Sequence, residues 1–344
     1  MKKHAAQPTA QPAVAPVFPS IIRRCAAESR PGEATVSEEE PPQVAVVVVN
    51  YDSGDHLRTC VSHLRAASGP LRSEFVVVDN ASSDRSLEGV DLLEPEIQVI
   101  RNPHNRGYGR ACNQGFEATA APYVCLLNPD VVPKPGSIAS MVAAMDDRPK
   151  VGVLGPRLLN PDGSYYPSCR VVPNLRVALG HALFGLISDN NRFSRAYKLL
   201  DFDHSTELEV DWVSGAAMMV RRPAFAAVGG FDEGFFMYVE DVDLCARMTG
   251  AGWSAIYFPG AEMVHHVAGS SRRSPYKMIR HHHLSHMRFA VKRADRPHRV
   301  ILLPAILLGL AGRLLVAWAH LFLRHRARRS PDAARREVTP GPPT

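Results

Sequence analysis

Val44-Ala-Val-Val-Val-Val-Asn-Tyr-Asp-Ser-Gly-Asp55 is a β-branched run that stops at a polar, glycine-bearing turn. Six apolar residues without alternation predict a strand buried on both faces, as a parallel sheet requires. Apolar residues then recur at Leu57, Cys60, Val61 and Leu64, which is helical spacing. The unit repeats downstream. Phe75-Val-Val-Val78 ends at Asp79-Asn-Ala-Ser-Ser-Asp84, and a third strand, 97–100, ends at Arg101-Asn-Pro103. A helix is expected over 107–120. Tyr123-Val-Cys-Leu-Leu127 ends at Asn128-Pro-Asp130, and a further helix is expected over 136–145. Strands alternating with helices predict an α/β fold, with a mostly parallel central sheet flanked by helices. Ligands of such sheets bind beyond the carboxyl ends of the strands. Chain order alone would gather Asp79, Asn102, Asn128 and Asp130 there.

The 344 residues suffice for one large or two small domains, and 45% hydrophobic content suits a sizeable core. The net charge of +6 is unevenly placed. Between Lys292 and Glu337 eleven Lys or Arg face three acids, so the rest of the chain is slightly acidic. A basic tail on an acidic body argues against a nucleic-acid partner. The six cysteines show neither C-x-x-C pairs nor zinc spacing, which suggests a reducing compartment. Cys125 and Cys245 read as small core residues. No apolar signal segment is visible at the N-terminus. Residues 1–42, rich in Ala, Pro, Gln and Glu, read as a disordered leader, and 330–344 as a disordered tail.

The chemistry concentrates in Phe236-Met-Tyr-Val-Glu-Asp-Val-Asp-Leu-Cys-Ala-Arg247. Glu240, Asp241 and Asp243 fall within four positions, among aromatic and apolar residues. Burying unpaired carboxylates costs several kcal/mol each, so such a cluster suits a general base or a metal site. The purely structural alternative is an acidic helix start favoured by the dipole. Asp79 closes a buried strand and could accept a hydrogen bond from a base or ribose; the alternative is an Asx turn. Asn105-Arg-Gly-Tyr-Gly-Arg-Ala-Cys-Asn113 resembles a phosphate-cradling turn, with Gly107 and Gly109 allowing close backbone approach. In Asn128-Pro-Asp130 the carboxylate offers a hard oxygen for Mg²⁺ or Mn²⁺; a proline turn is the alternative. His265 could complete a metal shell or contact phosphate. His281-His-His283 and His286 lie in a basic helix and read as solvated or lipid-facing.

Taken in order, these motifs resemble glycosyltransferase family 2, and especially its rhamnosyltransferase-like branch. The motifs are Val-Asn-Tyr-Asp-Ser-Gly, Val-Val-Asp-Asn-Ala-Ser-Ser-Asp, Asn-Arg-Gly-Tyr-Gly-Arg, Leu-Leu-Asn-Pro-Asp, Val-Ser-Gly-Ala-Ala-Met, the Glu240-Asp241 stretch and His-His-x-x-Gly-Ser. The resemblance covers about 44–290. It implies a GT-A nucleotide-sugar-binding fold with added C-terminal helices. It also implies an inverting, metal-dependent transfer of a sugar, rhamnose from a dTDP-sugar, in cell-surface polysaccharide assembly. The acceptor would be lipid-linked or a polysaccharide. Under the resemblance Asp241 matches the catalytic base, with Glu240 beside it. Asp130 and His265 match the ligands of a divalent cation, Mg²⁺ or Mn²⁺. Asn50, Asp79, Asn105, Gly107, Asn128, Trp212 and Gly215 fall to the nucleotide-sugar site. Asn128 stands where the family's metal motif has a first Asp.

Residues 43–290 are thus expected to form the catalytic domain, and 291–329 a membrane-associated helical tail. Val300–Leu323 is a 24-residue apolar block broken by Arg313, with arginine clusters on both sides. The charge near its centre favours an interfacial or hairpin-like attachment over a clean span. The expected place is the cytoplasmic face of the cell membrane, against an anionic surface. A core helix, or the contact of a homodimer, is the alternative for the apolar block. Two other functions stay open: a catalytically degenerate nucleotide- or lipid-binding scaffold, and a nucleotidyltransferase. The second lacks its usual cation in the loop after the first strand.

Overall fold

The Val44 run forms β1 (Val44–Asn50), and in the computed structural model all seven of its residues are buried. The structure describes residues 40–94, 96–171, 177, 191–267 and 275–328. The leader expected over 1–42 lies outside these up to residue 39, as does the tail expected over 330–344. The described residues from Pro41 onward belong to one compact unit. β1, β2 (Ser73–Asp79), β3 (Gln98–Arg101) and β4 (Tyr123–Leu127) pair in parallel, in the spatial order 3-2-1-4. Helices α1 (Asp55–Ser68), the single turn α2 (Val90–Leu93) and α3 (Tyr108–Glu117) make the crossovers.

Alternation along β1 sorts the core into two layers. Val44, Val46 and Val48 pack with Leu57, Val61 and Leu64 of α1 and with Ile138, Met141 and Met145 of α4 (Ser137–Asp146). Ala45, Val47 and Val49 pack on the other face, against Ala111 and Cys112 of α3. Each fully buried Val or Leu contributes roughly 1.5–3 kcal/mol, so a one-residue slip of this strand is strongly disfavoured. Cys125 and Cys245 are both fully buried, as expected of core residues.

The second half of the sheet departs from strict alternation. It comprises β5 (Val131–Pro133), β6 (Val151–Leu159), β8 (Leu208–Val210), β10 (Ala217–Arg221) and β11 (Ser254–His265), while β7 (Cys169–Arg170) and β9 (Trp212–Val213) pair as a separate two-stranded sheet. The main sheet runs β3-β2-β1-β4-β10-β6-β11-β5, with β8 also on β11. β10 is antiparallel to β4 and β6, and β5 and β8 are antiparallel to β11; the other six strands, β1–β4, β6 and β11, run one way, which makes the sheet mostly parallel. β6 carries Gly155-Pro156 inside a nine-residue strand. A Gly-Pro dipeptide commonly marks a turn, yet the strand continues because Gly155 and Pro156 pair with Tyr257 and Phe258 of β11, just beyond the pairing of Val153 and Leu154 with β10.

Helices α5 (Arg192–Tyr197), α6 (Arg222–Ala227) and α7 (Glu240–Gly250) complete the body. Two long helices follow, α8 (Pro275–Lys292) and α9 (Pro297–Arg328). α8 is tied to the body: Ser285 Oγ donates to Met237 O at 2.8 Å, and Lys292 Nζ lies 2.7 Å from Asp232 and 2.8 Å from Asp243. α9 packs on α8 and leaves its apolar surface open, with Ile301 77% and Leu308 74% exposed. Pro297–Leu323 is one 27-residue stretch, long and apolar enough to cross a membrane. The apolar block is therefore a single helix and not a hairpin.

Candidate active site

Strand ends and one helix start converge on a cleft of about 440 Å³. Seven of the residues singled out in the sequence line it: Asn128, Asp130, Trp212, Gly215, Glu240, Asp241 and His265. Asn128 and Asp130 arrive on the turn after β4. Antiparallel pairing of β5 with β11 sets Val131 opposite His265, and His266 N donates to Asp130 O at 2.9 Å. This brings His265 Nε2 to 3.4 Å from Asp130 Oδ1. The ring of His265 stands edge-on to Tyr166, centroids 4.6 Å apart, and its buried Nδ1 has no hydrogen-bond partner among the described residues. A hard oxygen and an imidazole nitrogen converging in a cleft fit a divalent cation whose shell is completed by substrate phosphates and water. Among the described residues no third His, Cys, Asp or Glu joins them.

α7 divides the acidic run according to helical geometry. Asp243 points away from the cleft into ion pairs with Arg247 at 2.7 Å and Lys292, and so holds α7 to α8. Glu240 is buried, and its Oε2 has no hydrogen-bond partner among the described residues. Burial, and then the charge of Asp241, push its carboxyl well above the usual carboxylate range. Asp241 is half-buried and is also raised by burial, against the opposing pull of backbone N–H groups. Its Oδ2 accepts from Gly215 N at 2.9 Å and its Oδ1 from Val242 N at 2.8 Å. Tyr108 Oη in turn donates to Gly215 O at 2.5 Å. A Cβ on residue 215 would meet Tyr108 at 3.4 Å and Asp241 Cβ at 3.5 Å, so glycine permits this close approach.

Asn50, Asp79, Asn105 and Gly107 lie outside the cleft lining. Asn50 and Asp79 are register partners at the ends of β1 and β2. Asp79 Oδ1 accepts from Asn50 Nδ2 at 2.8 Å and from Ser82 Oγ at 2.5 Å, and its Oδ2 accepts from Ser82 N at 3.2 Å. This network continues the strand-end edge that carries Asn128. Asn105 Oδ1 accepts from Gly107 N and from Asn80 Nδ2, which shapes the 105–107 turn. Gly107 has φ +89°, and a Cβ there would come 2.5 Å from Phe236 O. The turn is thus docked on the segment leading into α7, with Tyr108 N donating to Phe236 O.

Sequence reading missed Arg170. It lies on β7 opposite Trp212 on β9. Its guanidinium sits over the rings of Trp212 at 5.4 Å and Tyr197 at 5.7 Å, and its charge favours the ionised form of Asp241. Residues 151–235 lack a clean period, and only the β7–β9 pairing reveals this position. His282 and His286 also line the cleft, where a solvated or lipid-facing role had been expected. The helix turns their face inward because Ser285, Arg288 and Lys292 anchor α8 on the body.

Asp79→Ala should weaken nucleotide-sugar binding by roughly 10- to 100-fold, the value of one charge-assisted hydrogen bond, while the single-turnover rate at saturating donor changes little. Calorimetric titration of the donor and rapid-quench kinetics check the two halves. A large fall in rate at unchanged donor affinity would place Asp79 in the chemical step instead.

The model of the family described as Glycosyl transferase family 2 matches residues 45–198. The chain is 36% identical over 296 residues to the N-acetylglucosaminyl-diphospho-decaprenol L-rhamnosyltransferase of Mycobacterium tuberculosis, covering 83% of this chain and 94% of that protein. It is 23% identical to rhamnosyltransferase WbbL of Escherichia coli, over 73% of this chain and 93% of the relative. Among solved structures, a mannosyltransferase of Pyrobaculum calidifontis in complex with GDP-Man and Mn²⁺ superposes with a TM-score of 0.52 at 18% identity, covering 85% of this chain and 82% of the other. That similarity shows a shared fold.

Proposed function

The chain belongs to glycosyltransferase family 2, and from that premise we propose that it transfers a rhamnosyl group, with inversion, from a dTDP-sugar to a lipid-linked acceptor. The observation that carries this reading is Asp241. It is a carboxylate held in a cleft by Gly215 N, beside a cation-ready Asp130–His265 pair and an aromatic wall. The relatives named as rhamnosyltransferases, one of them for a GlcNAc-diphospho-decaprenol acceptor, support the choice of sugar and acceptor class.

The residues divide the work as follows. The Asp79–Asn50 edge holds the nucleoside. Trp212 and Tyr197 offer flat faces to sugar rings, and Arg170 lies over both while its charge favours ionised Asp241. Asp241 takes the proton of the acceptor hydroxyl as that oxygen bonds to the anomeric carbon and the bond to phosphate breaks. Gly215 N–H, itself positioned through Tyr108, keeps the carboxylate aimed through this step. Asp130 and His265 would hold Mg²⁺ or Mn²⁺, which neutralises charge on a departing diphosphate. Glu240, buried and held neutral at the usual carboxylate range, lowers the local negative charge that two ionised neighbours would create.

Incubating purified protein with a panel of nucleotide sugars and a polyprenyl-diphospho-GlcNAc acceptor tests the reading. Nucleoside diphosphate release with dTDP-rhamnose is the expected result. Pyrophosphate release would indicate a nucleotidyltransferase, and no turnover with any donor would leave a nucleotide- or lipid-binding scaffold.

We place the enzyme at the cytoplasmic face of the membrane through α9. At 1.5 Å per residue the 27 residues of Pro297–Leu323 reach about 40 Å, and their surface is open. Removing residues from 296 onward should release the protein from anionic liposomes while it still glycosylates soluble acceptor analogues. Binding of the full chain should be only partly salt-sensitive, because apolar burial adds to ~1 kcal/mol per cation near the surface. Full-length protein left in the soluble fraction after flotation would refute the attachment.

A further inference from the structure

The turn that leads into Asp241 is held in a conformation that its own residues resist. Tyr238 and Val239 both sit at φ +69°, in the left-handed region, immediately before Glu240 and Asp241. Neither is Gly, Asn or Asp, and Val239 is β-branched, so this backbone is an outlier. Such a conformation persists only where its surroundings over-determine it. On one side α3 holds it, through Tyr108 N donating to Phe236 O at 3.0 Å. On the other side α8 follows the same segment almost residue by residue. Arg288 lies over the Phe235 ring at 5.2 Å, in space that a Cβ on Gly234 would fill. His281 stacks on Phe236 with centroids 4.4 Å apart, and the rings of His282 and Tyr238 meet edge-on at 5.4 Å. Between them Ser285 Oγ donates to Met237 O at 2.8 Å. These contacts, with Lys292, fall at 281, 282, 285, 288 and 292, which is one face of a helix.

We propose that Ser285 and Lys292 are positioning residues that pin the left-handed Tyr238–Val239 turn from both ends and so aim the Asp241 carboxylate at the acceptor hydroxyl. This rests on the reading of Asp241 as general base and deepens it.

The two residues act at different points. Met237 O lies directly before the left-handed pair, and Ser285, which is buried, fixes it to α8. Lys292 spans the turn. Its Nζ lies 2.7 Å from Asp232 ahead of the turn and 2.8 Å from Asp243 in the first turn of α7. One ammonium shared by two carboxylates fixes the separation of the segment's ends, and the burial of Asp243 shields that contact from screening. Asp243 N also donates to Val239 O at 2.9 Å, so the turn and the helix start move as one piece. A turn relaxing to negative φ would rotate the start of α7 and carry Asp241 Oδ2 off Gly215 N, the contact that orients it. The transfer chemistry derived above uses neither Ser285 nor Lys292 directly.

The test compares the full-length parent with Ser285→Ala/Lys292→Met and with Lys292→Arg, each also in the Asp241→Asn background. Arg247 stays on Asp243 and Arg288 on Asp232 throughout, so neither carboxylate loses its last cation. The double variant should lower kcat by about 10- to 100-fold, the cost of misplacing a reacting group, with donor affinity within about twofold. Lys292→Arg keeps the cation and should keep most of the parent kcat. In the Asp241→Asn background the double variant should cost almost nothing further, because the group it aims is gone. An unchanged kcat overturns the inference, and so does an equal loss in both backgrounds. Amide hydrogen exchange in the same proteins needs no turnover. The N–H groups of Gly215 and Asp243, bonded to Asp241 Oδ2 and Val239 O, should exchange faster in the double variant, with β1 and β2 unchanged. Faster exchange in β1 and β2 as well would overturn the inference, since α8 would then support the whole body and not the turn. Faster exchange confined to the turn, in a parent protein that uses no donor, sustains the hold of α8 on Asp241 and sinks the glycosyl-transfer reading. Turnover by the parent, with kcat and exchange unchanged in the double variant, does the reverse.

Discussion

Asp241→Asn should lower kcat by roughly 10²- to 10⁴-fold, the usual worth of a positioned general base, with donor affinity nearly unchanged. The substitution is isosteric. Its amide oxygen can still accept from Gly215 N, so the 214–216 loop keeps its anchor. What disappears is the capacity to take a proton, together with the acceptor for Val242 N. Steady-state kinetics with donor titration, alongside circular dichroism, measures the effect. A folded variant keeping more than about a tenth of the parent kcat would exclude Asp241 as base, given the size of that effect. Asp243 would not replace it, because it is consumed in ion pairs with Arg247 and Lys292.

The same carboxylate sets a pH dependence. Burial raises Asp241, so its proton leaves only above the usual carboxylate range and kcat should rise with pH through that region. Glu240 and Asp241 interact, so the limb belongs to the pair. Glu240 still holds its proton where Asp241 loses its own, so Glu240→Gln should leave the limb nearly in place, and a limb that moves to lower pH would mean that Glu240 is ionised beside it. A limb that moves to higher pH would mean that Glu240 assists deprotonation of its neighbour.

Asp130→Ala should abolish the response of donor binding to Mn²⁺. Asp130 is the one carboxylate beside His265, and among the described residues no other His, Cys, Asp or Glu completes a group of three there. Outer-shell partners of metals are typically worth ~10–100-fold in affinity, so loss of this direct ligand should cost at least that much. The measurement is donor affinity across a Mn²⁺ titration, for parent and variant. Unchanged metal-dependent affinity would remove Asp130 from the site and leave its contact with His265 as a strut between β5 and β11. The two variants separate by kind of loss: Asp241→Asn slows a bound complex, whereas Asp130→Ala weakens its formation.

The first half of the chain was legible because its signals are local. An unbroken valine run such as Val44–Val49 can be satisfied only by cover on both faces, and helical spacing at Leu57, Cys60, Val61 and Leu64 supplies one of those covers. A polar residue at the end of such a strand must sit at the sheet edge, so Asp79, Asn128 and Asp130 could be placed before any pairing was known. The acidic motif at 240–241 was legible for a different reason: two carboxylates among apolar residues are costly without a use.

Residues 151–235 were not legible, because their order depends on partners far away in the chain. The Gly155-Pro156 pair looks like a turn until β11 holds it in a strand. Arg170 is an ordinary arginine until β7 meets β9 and sets it between Tyr197 and Trp212. The histidines of α8 show the same limit from another side. Their helix was expected, but its inward face follows from ion pairs of Arg288 and Lys292 with Asp232 and of Lys292 with Asp243, across more than forty positions. Sequence alone determined the layered α/β architecture, the strand-end edge and the acidic pair, since burial and strand ends constrain each residue locally. Tertiary structure decided which carboxylate faces the cleft, which cation stands beside it and which helix closes it. Those depend on side-chain direction and long-range pairing, which no local pattern encodes.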